Sequence, residues 1–166
     1  LPIKSVGVQG DFRTYHHPAV VWFEDLKDRS WVTLKEVTSK VINTLKTVNR
    51  LVFSPKPIEE PKLGKLFLEK CKMDELREVD AIIRDKTDNL EEIWQMPVVQ
   101  LPLLNNHNGR DYIMRPVCSQ DAMSADFYEM DFNYLDEIIA LVKQLDFVGD
   151  IFYDITTKPP GTIEWE

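Results

Sequence analysis

Residues 48–53, VNRLVF, and residues 148–155, VGDIFYDI, decide the fold. Both are β-prone runs of branched and aromatic side chains. Each follows a segment with apolar residues at helical spacing: Leu34, Val37, Val41, Leu45 and Val48 for the first, Leu135, Ile138, Ile139, Val142 and Leu145 for the second. Each closes on a proline-rich peptide, Pro55-Lys56-Pro57 and Lys158-Pro159-Pro160. Working outward, a strand candidate precedes each helix, at 19–23 and 112–117. The chain therefore reads as α/β (α+β): two copies of a β-α-β unit with helices packed on a small sheet, joined by a helical and proline-rich connector. A period of about one hundred residues is too long for a solenoid. Two such units either build one pseudo-symmetric layered sheet or face each other across an approximate two-fold. The division is 1–57 for the first subdomain, 58–110 for the connector and 111–166 for the second subdomain with its tail.

Local signals place the boundaries. A short strand over 3–8 meets a turn at Gly10-Asp11, and Thr14-Tyr15 resumes a strand. Thr33 and Glu36 form a capping box for the first helix, with Ser30 as an alternative start and Asn49 as a stop. A connector helix runs through Leu76, Val79, Ile82 and Ile83 with Asp74 near its start, and Leu90, Ile93 and Trp94 add one further turn. Residues 96–104 are extended, because Pro97 and Pro102 forbid a regular interior strand or helix. Asp131 or Asn133 opens the last helix.

The 166 residues carry 20 basic and 28 acidic side chains, a net charge of −8. Duplex binding through phosphates calls for a basic surplus, so this balance argues against non-specific nucleic-acid binding. Single-stranded RNA binding is disfavoured for the same reason and for want of a basic-aromatic stripe. Two cysteines, Cys71 and Cys118, are too few for a disulfide framework and read as reduced, buried, inert thiols. No apolar run reaches the length of a membrane span. The chain starts at Leu1, which reads as a processed or excised piece.

Most candidate chemistry has a plainer reading. His16 and His17 are adjacent, so on a strand they point to opposite faces and do not share an ion; they read as exposed loop histidines, and no metal site is expected. Gly7 and Gly10 lack the third glycine and the following helix of a dinucleotide loop and read as turn glycines. Asp11 and Arg13 sit beside that turn, where a rigid support holds a site residue well. The last nine residues, KPPGTIEWE, are different. Two prolines stiffen the arm, Gly161 permits a bend, Lys158 offers a charge suited to phosphate and Thr162 a hydroxyl. Ile163 and Trp165 are costly to leave in water, so the arm is expected to dock.

That ending, together with VGVQGD at 6–11, Arg115-Pro116-Val117 and Asp121-Ala122-Met123-Ser124-Ala125-Asp126, resembles the C-terminal dimerisation domain of the GMP synthase family. The roughly hundred residues between the first motif and RPV resemble the longer, duplicated form found in animals. The resemblance implies a parent enzyme with a glutamine amidotransferase domain and an ATP-pyrophosphatase domain. ATP, with Mg, adenylates the C2 oxygen of xanthosine monophosphate (XMP), and ammonia from glutamine displaces AMP to give GMP. Neither the amidotransferase triad nor the SGGxDS phosphate loop occurs here, so the fragment alone would be inactive, without catalytic residues or a bound cofactor, and cytoplasmic.

Carried over by motif, XMP contacts fall on Asp11 of VGVQGD, Gln95 of QMP, Lys158 of KPP, and Thr162, Ile163 and Glu164 of the ending. Lys158 would meet the phosphate, Gln95 would donate to a phosphate oxygen, Thr162 and Ile163 would supply backbone contacts, and Glu164 and Asp11 would accept from sugar or base. The sequence departs from the family at Asp150, where an arginine is usual; Arg50 holds the equivalent place in the first copy. Partners implied are XMP and the enzyme's own other domains, with a homodimer as one assembly the duplication allows. The rival reading is a structural interaction module whose tail touches no ligand.

Overall fold

The computed structural model describes residues 1–10, 12–121 and 123–165. In chain order its elements are β1 (Ser5–Gln9), β2 (Phe12–Val21), α1 (Trp31–Thr44), β3 (Val48–Phe53), β4 (Lys62–Leu63), α2 (Lys70–Thr87), β5 (Val98–Leu104), β6 (Arg110–Met114), β7 (Val117–Cys118), β8 (Asp126–Phe127), α3 (Phe132–Val142) and β9 (Val148–Asp154). Among the described residues, seven strands form one sheet in the order β1-β2-β3-β9-β6-β5-β4, and β7 and β8 form a separate ribbon.

The order is a near-palindrome. β2, α1 and β3 make one β-α-β crossover, with β2 and β3 parallel; β6, α3 and β9 make the other, with β6 and β9 parallel. β1 is antiparallel to β2, as β5 is to β6. The halves meet where β3 runs antiparallel to β9, with Phe53 opposite Tyr153 and Val52 opposite Asp154. Val21 pairs with Phe53 in one half and Met114 with Tyr153 in the other. The two-fold therefore passes close to the Phe53–Tyr153 pair. A register shift of one residue recurs in both crossovers, between His17 and Pro18 and between Arg110 and Tyr112. Such a bulge bends the strand and re-aims its side chains. Here it frees Asn49 of β3 from the ladder, and its amide takes the Ser5 carbonyl at 2.7 Å while its Oδ1 accepts from the Ser5 hydroxyl at 2.9 Å.

Helix starts follow the symmetry. Ser30 caps α1 by accepting from the Thr33 amide, and Asp131 caps α3 by accepting from Asn133 and Tyr134. The alternative start at Ser30, not the Thr33–Glu36 box, is the observed one. The first helical residues, Trp31 and Phe132, stack on each other with centroids 4.4 Å apart and planes 12° from parallel. An offset stack at that spacing adds about 0.5–1.5 kcal/mol to area burial. The core on this face gathers Leu34, Leu51, Phe53, Val79, Ile83, Leu135, Ile138, Ile151 and Tyr153 beneath the three helices. The other face buries Val52, Leu101, Leu103, Ile113 and Phe152, covered by Leu1 and Ile3, by Ile58 after β3, and by Trp165 after β9.

Several local expectations change. β2 is one ten-residue strand, not two pieces, so His16 and His17 lie in a strand; the His17 ring bonds the Ile3 carbonyl at 2.6 Å. Asn49 is buried within β3, and α1 ends at Thr44 with Leu45 as its cap. α2 starts at Lys70, earlier than Asp74, and Leu90 to Ile93 make the one further turn, closed by the Ile93 amide on the Leu90 carbonyl at 2.9 Å. Residues 98–104 are a strand despite Pro102, because the β5–β6 register breaks between Gln100 and Leu104 and the strand carries only the short β4 on its far side. Proline is tolerated at such a break, where no ladder amide is required. Cys71 is exposed and Cys118 half-buried; burial first, then the nearby Asp126 and Glu92 charges, push the Cys118 thiol up, away from thiolate chemistry.

Asp111 is the strained charge of the frame. It accepts from the Asp150 amide at 2.8 Å, while its Oδ2 is buried without a partner among the described residues. Burial pushes its carboxyl up to about 6, against the Asp150 amide, with the Asp150 charge adding to the rise. An ordinary aspartate in the unfolded chain ionises near 3.9, so folding loses stability as pH climbs from roughly 4 to 6 and the loss persists above that. Asp111→Asn should thus be more stable than the wild type at pH 8 by on the order of 1–2 kcal/mol in urea titrations, with the difference shrinking toward pH 4. A difference independent of pH would contradict the assignment.

Candidate functional site

Three strands deliver buried charges to one point. Arg50 comes from β3, Asp154 ends β9, and Arg115 follows β6. Arg50 and Asp154 are fully buried and Arg115 is 2% exposed. Asp154 Oδ2 accepts from Arg50 Nη1 at 3.0 Å, from Arg115 Nη1 at 2.8 Å and from the Trp165 indole at 2.7 Å; its Oδ1 accepts from the Thr156 amide at 2.8 Å. Burial alone would raise this carboxyl, but the Arg115 and Arg50 charges and the Thr156 donors outweigh it and hold Asp154 below the usual carboxylate range. Truncating one partner of such a group leaves a charge stranded, at a cost of about 3–5 kcal/mol.

The two guanidiniums then reach outward to the C-terminal strip. Arg50 Nη2 donates to the Thr162 hydroxyl (2.5 Å), the Thr162 carbonyl (3.1 Å) and the Glu164 carbonyl (2.9 Å), and also to the Val6 carbonyl of β1 (3.2 Å). Arg115 Nε donates to the Ile163 carbonyl at 2.8 Å and its Nη1 to the Thr156 carbonyl at 3.0 Å. The Arg50 guanidinium also lies 4.8 Å from the Trp165 ring centroid. Three successive carbonyls, 162 to 164, are thus occupied by arginine. Contacts from this stretch to any ligand are left to amides and side chains.

Upstream, the strip is stitched to two other elements. Lys158 exchanges backbone bonds with Ala125 at 2.7 and 3.1 Å, next to β8. Gly161 bridges Gly7 of β1, and the Val8 amide donates to the Pro160 carbonyl at 2.6 Å. Gly7 is required there: a Cβ would lie 2.9 Å from the Pro160 carbonyl and 2.9 Å from the Asn49 amide. The Lys158-Pro159 and Pro159-Pro160 peptides are cis. A cavity of about 320 Å³ lies between α1 and this bend, lined by Lys35, Thr38, Asn43, Asp126, Thr157 and Pro160. An open depression on the other flank carries Glu91, Glu92, Asp121 and Asp126. Four carboxylates repel a phosphate, so that flank is no anion wall.

Of the residues singled out in the sequence, Asp11 lies outside the described residues, as do Ala122 and Glu166 of the motifs. Lys158, Thr162 and Ile163 are half-buried and Glu164 is exposed, all on the docked strip. Gln95 is exposed and arrives from another direction: its backbone pairs with Val117 of β7, β7 pairs with β8, and Ala125 beside β8 pairs with Lys158. Gln95 and the strip are linked through that ribbon, and β1 carries the chain into the Gly10 turn, which has φ 66°. The sequence reading missed Arg50, Arg115 and Asp154 as a set. Their signal is present: an arginine inside VNRLVF and an aspartate inside IFYDI are charges in strands otherwise apolar. Among the described residues no group of three or more His, Cys, Asp or Glu side chains is placed to hold a metal, and no helix is long and apolar enough to cross a membrane.

Comparison with known proteins agrees on one family. The family model described as "GMP synthase C terminal domain" matches residues 82–165, from within α2 to the end of the strip. A protein of Leptospira interrogans called "Probable GMP synthase", glutamine-hydrolyzing, is 39% identical over 173 residues, covering all of this chain and 28% of its own length. A GMP synthase of Bartonella quintana is 42% identical over 106 residues, 57% of this chain and 20% of its own. One from Streptomyces avermitilis is 39% identical over 109 residues, 58% of this chain and 21% of its own. The chain therefore spans between a fifth and a third of the length of these curated relatives.

Closing the Gly7–Gly161 contact gives a direct test. Gly7→Ala should loosen the strip, so that carboxypeptidase releases residues 161–166 at least several-fold faster from the ligand-free protein. The overpacking should cost about 1–3 kcal/mol of stability. Unchanged trimming would mean that β1 does not hold the strip.

Proposed function

The chain belongs to the GMP synthase C-terminal domain family, and from that premise we propose that it is the part of a glutamine-hydrolysing GMP synthase that walls the XMP site and carries contacts to the enzyme's other domains. The observation that supports this most is the strip itself. A terminal peptide with a lysine at its start is fixed in path by two buried arginines and a β1 bridge, which is the preorganisation a ligand wall needs. Lys158 supplies the charge for the phosphate, and Gln95 a donor from across the β7–β8 ribbon. Glu164 and Asp11 accept from sugar hydroxyls or base N–H groups, and Thr162 and Ile163 face the nucleotide with their amides.

The chemistry falls to the domains outside this chain. There ATP, with Mg, transfers its adenylyl group to the C2 oxygen of XMP and releases pyrophosphate. Ammonia from glutamine then attacks C2, and AMP leaves with the oxygen. On this reading the chain positions the purine monophosphate and is inactive by itself, and the parent enzyme works in the cytoplasm among soluble nucleotides. Subunit pairing is a second role open to it.

One observation favours the rival reading, in which the strip is a structural strap: its carbonyls are bonded within the chain. Kinetics of the full-length protein separate the two. Lys158→Ala removes a charged hydrogen bond worth about 1.5–3 kcal/mol, so KM for XMP should rise roughly 10- to 100-fold with KM for glutamine unchanged. Equal changes in both constants, or none, would favour the strap.

A further inference from the structure

We infer that Arg50, supplied by the half of the chain that does not carry the strip, is a positioning residue for the nucleotide site: it sets the path of residues 162–164 and through it the placement of the Thr162 and Ile163 amides and of Glu164. This rests on the reading of the strip as an XMP wall.

The two halves are not equivalent at this point. The two-fold relates Arg50 to Asp150 and Asp154 to Ser54. Asp150 takes the Lys143 ammonium at 3.2 Å and stands 3.9 Å from Lys56, away from any tail. Ser54 donates to the Lys56 carbonyl at 2.7 Å, within its own segment. A cross-half Arg–Asp pair thus forms on one side of the axis, Arg50 with Asp154, and its counterpart on the other side is replaced. The segment after β3 and the segment after β9 occupy corresponding places, but the second is held by a guanidinium from the opposite half. The geometry therefore builds one gripped strip per chain, and one nucleotide site.

Arginine is needed for this task. One planar fork meets Asp154 with Nη1 and the strip with Nη2, while Val6 and Trp165 fix its plane. An ammonium is a single point and cannot span both sets of acceptors in fixed directions. The departure at Asp150 also finds its reason. The arginine that matters for the strip is the one in the first half, in a segment that the family model, matching 82–165, does not reach.

The test uses the full-length protein with XMP and glutamine as varied substrates. Arg50→Lys should raise KM for XMP tenfold or more and leave KM for glutamine within twofold. Carboxypeptidase should trim its strip faster than the wild type's in the absence of nucleotide. A folded Arg50→Lys protein with KM for XMP within twofold of the wild type would overturn the inference. Should that variant not fold, Thr162→Val, which deletes the hydroxyl that Arg50 grips, takes its place. It should speed trimming of the ligand-free strip, which loss of a ligand contact alone would not do; unchanged trimming overturns the inference. Lys158→Ala, run in parallel, separates the two failures. If it leaves KM for XMP unmoved, the site reading has fallen; if it raises KM while Arg50→Lys does not, only the positioning role has.

Discussion

A single buried carboxylate, Asp154, organises this molecule. It lies at the seam between the two halves and receives a guanidinium from each, Arg50 from the first and Arg115 from the second. Three fully buried charges are unfavourable unless every one is satisfied, and here the satisfaction extends beyond the triad. Further donors of both arginines, Arg50 Nη2 and Arg115 Nε, are met by carbonyls of the C-terminal strip, and Asp154 also accepts from the Trp165 indole. The strip is therefore part of the solution to a buried-charge problem. Removing it would leave arginine donors unmet in a dry interior, which is the physical reason a nine-residue terminus rich in proline docks at all.

The near-palindromic sheet makes that seam available. Antiparallel pairing of β3 with β9 sets Val52 opposite Asp154, so the second face of the sheet collects Val52, Phe152, Arg50 and Asp154 where no helix covers it. The helices fill the first face, and their facing starts, Trp31 and Phe132, lock across the axis. The second face is closed by peptide arms. Isologous contact of this kind usually joins two subunits; in this chain it joins two halves.

Much of the architecture was legible in the sequence because it depends on periodicity and composition. The match of VNRLVF to VGDIFYDI, each after an amphipathic helix, carried the duplicated β-α-β reading, and the observed registers of β2–β3 and β6–β9 repeat one another. Pro102 misled because proline excludes a ladder amide only where one is needed, and the break in the β5–β6 register removes that need. Capping by Ser30 in place of Thr33 turned on where Trp31 had to stack, a contact with a residue 101 positions away that no local window contains. The triad was hidden for the same reason. Arg50 and Asp150 looked like a family arginine moved between copies, and only the folded chain puts Arg50 against Asp154 and the strip. Docking of the arm itself followed from hydrophobicity, and Trp165 is the side chain that packs on the second apolar face, with Ile163 half-buried.

Amide hydrogen exchange of the full-length protein, read at Val8 and at residues 161–165 with and without XMP, probes the central claim most directly. A strip pinned by the Asp154 cluster and shaped for a nucleotide predicts protection at Val8 and Gly161 before ligand is added, and a further slowing with XMP that glutamine does not produce. Exchange at open-chain rates in both conditions would contradict the account.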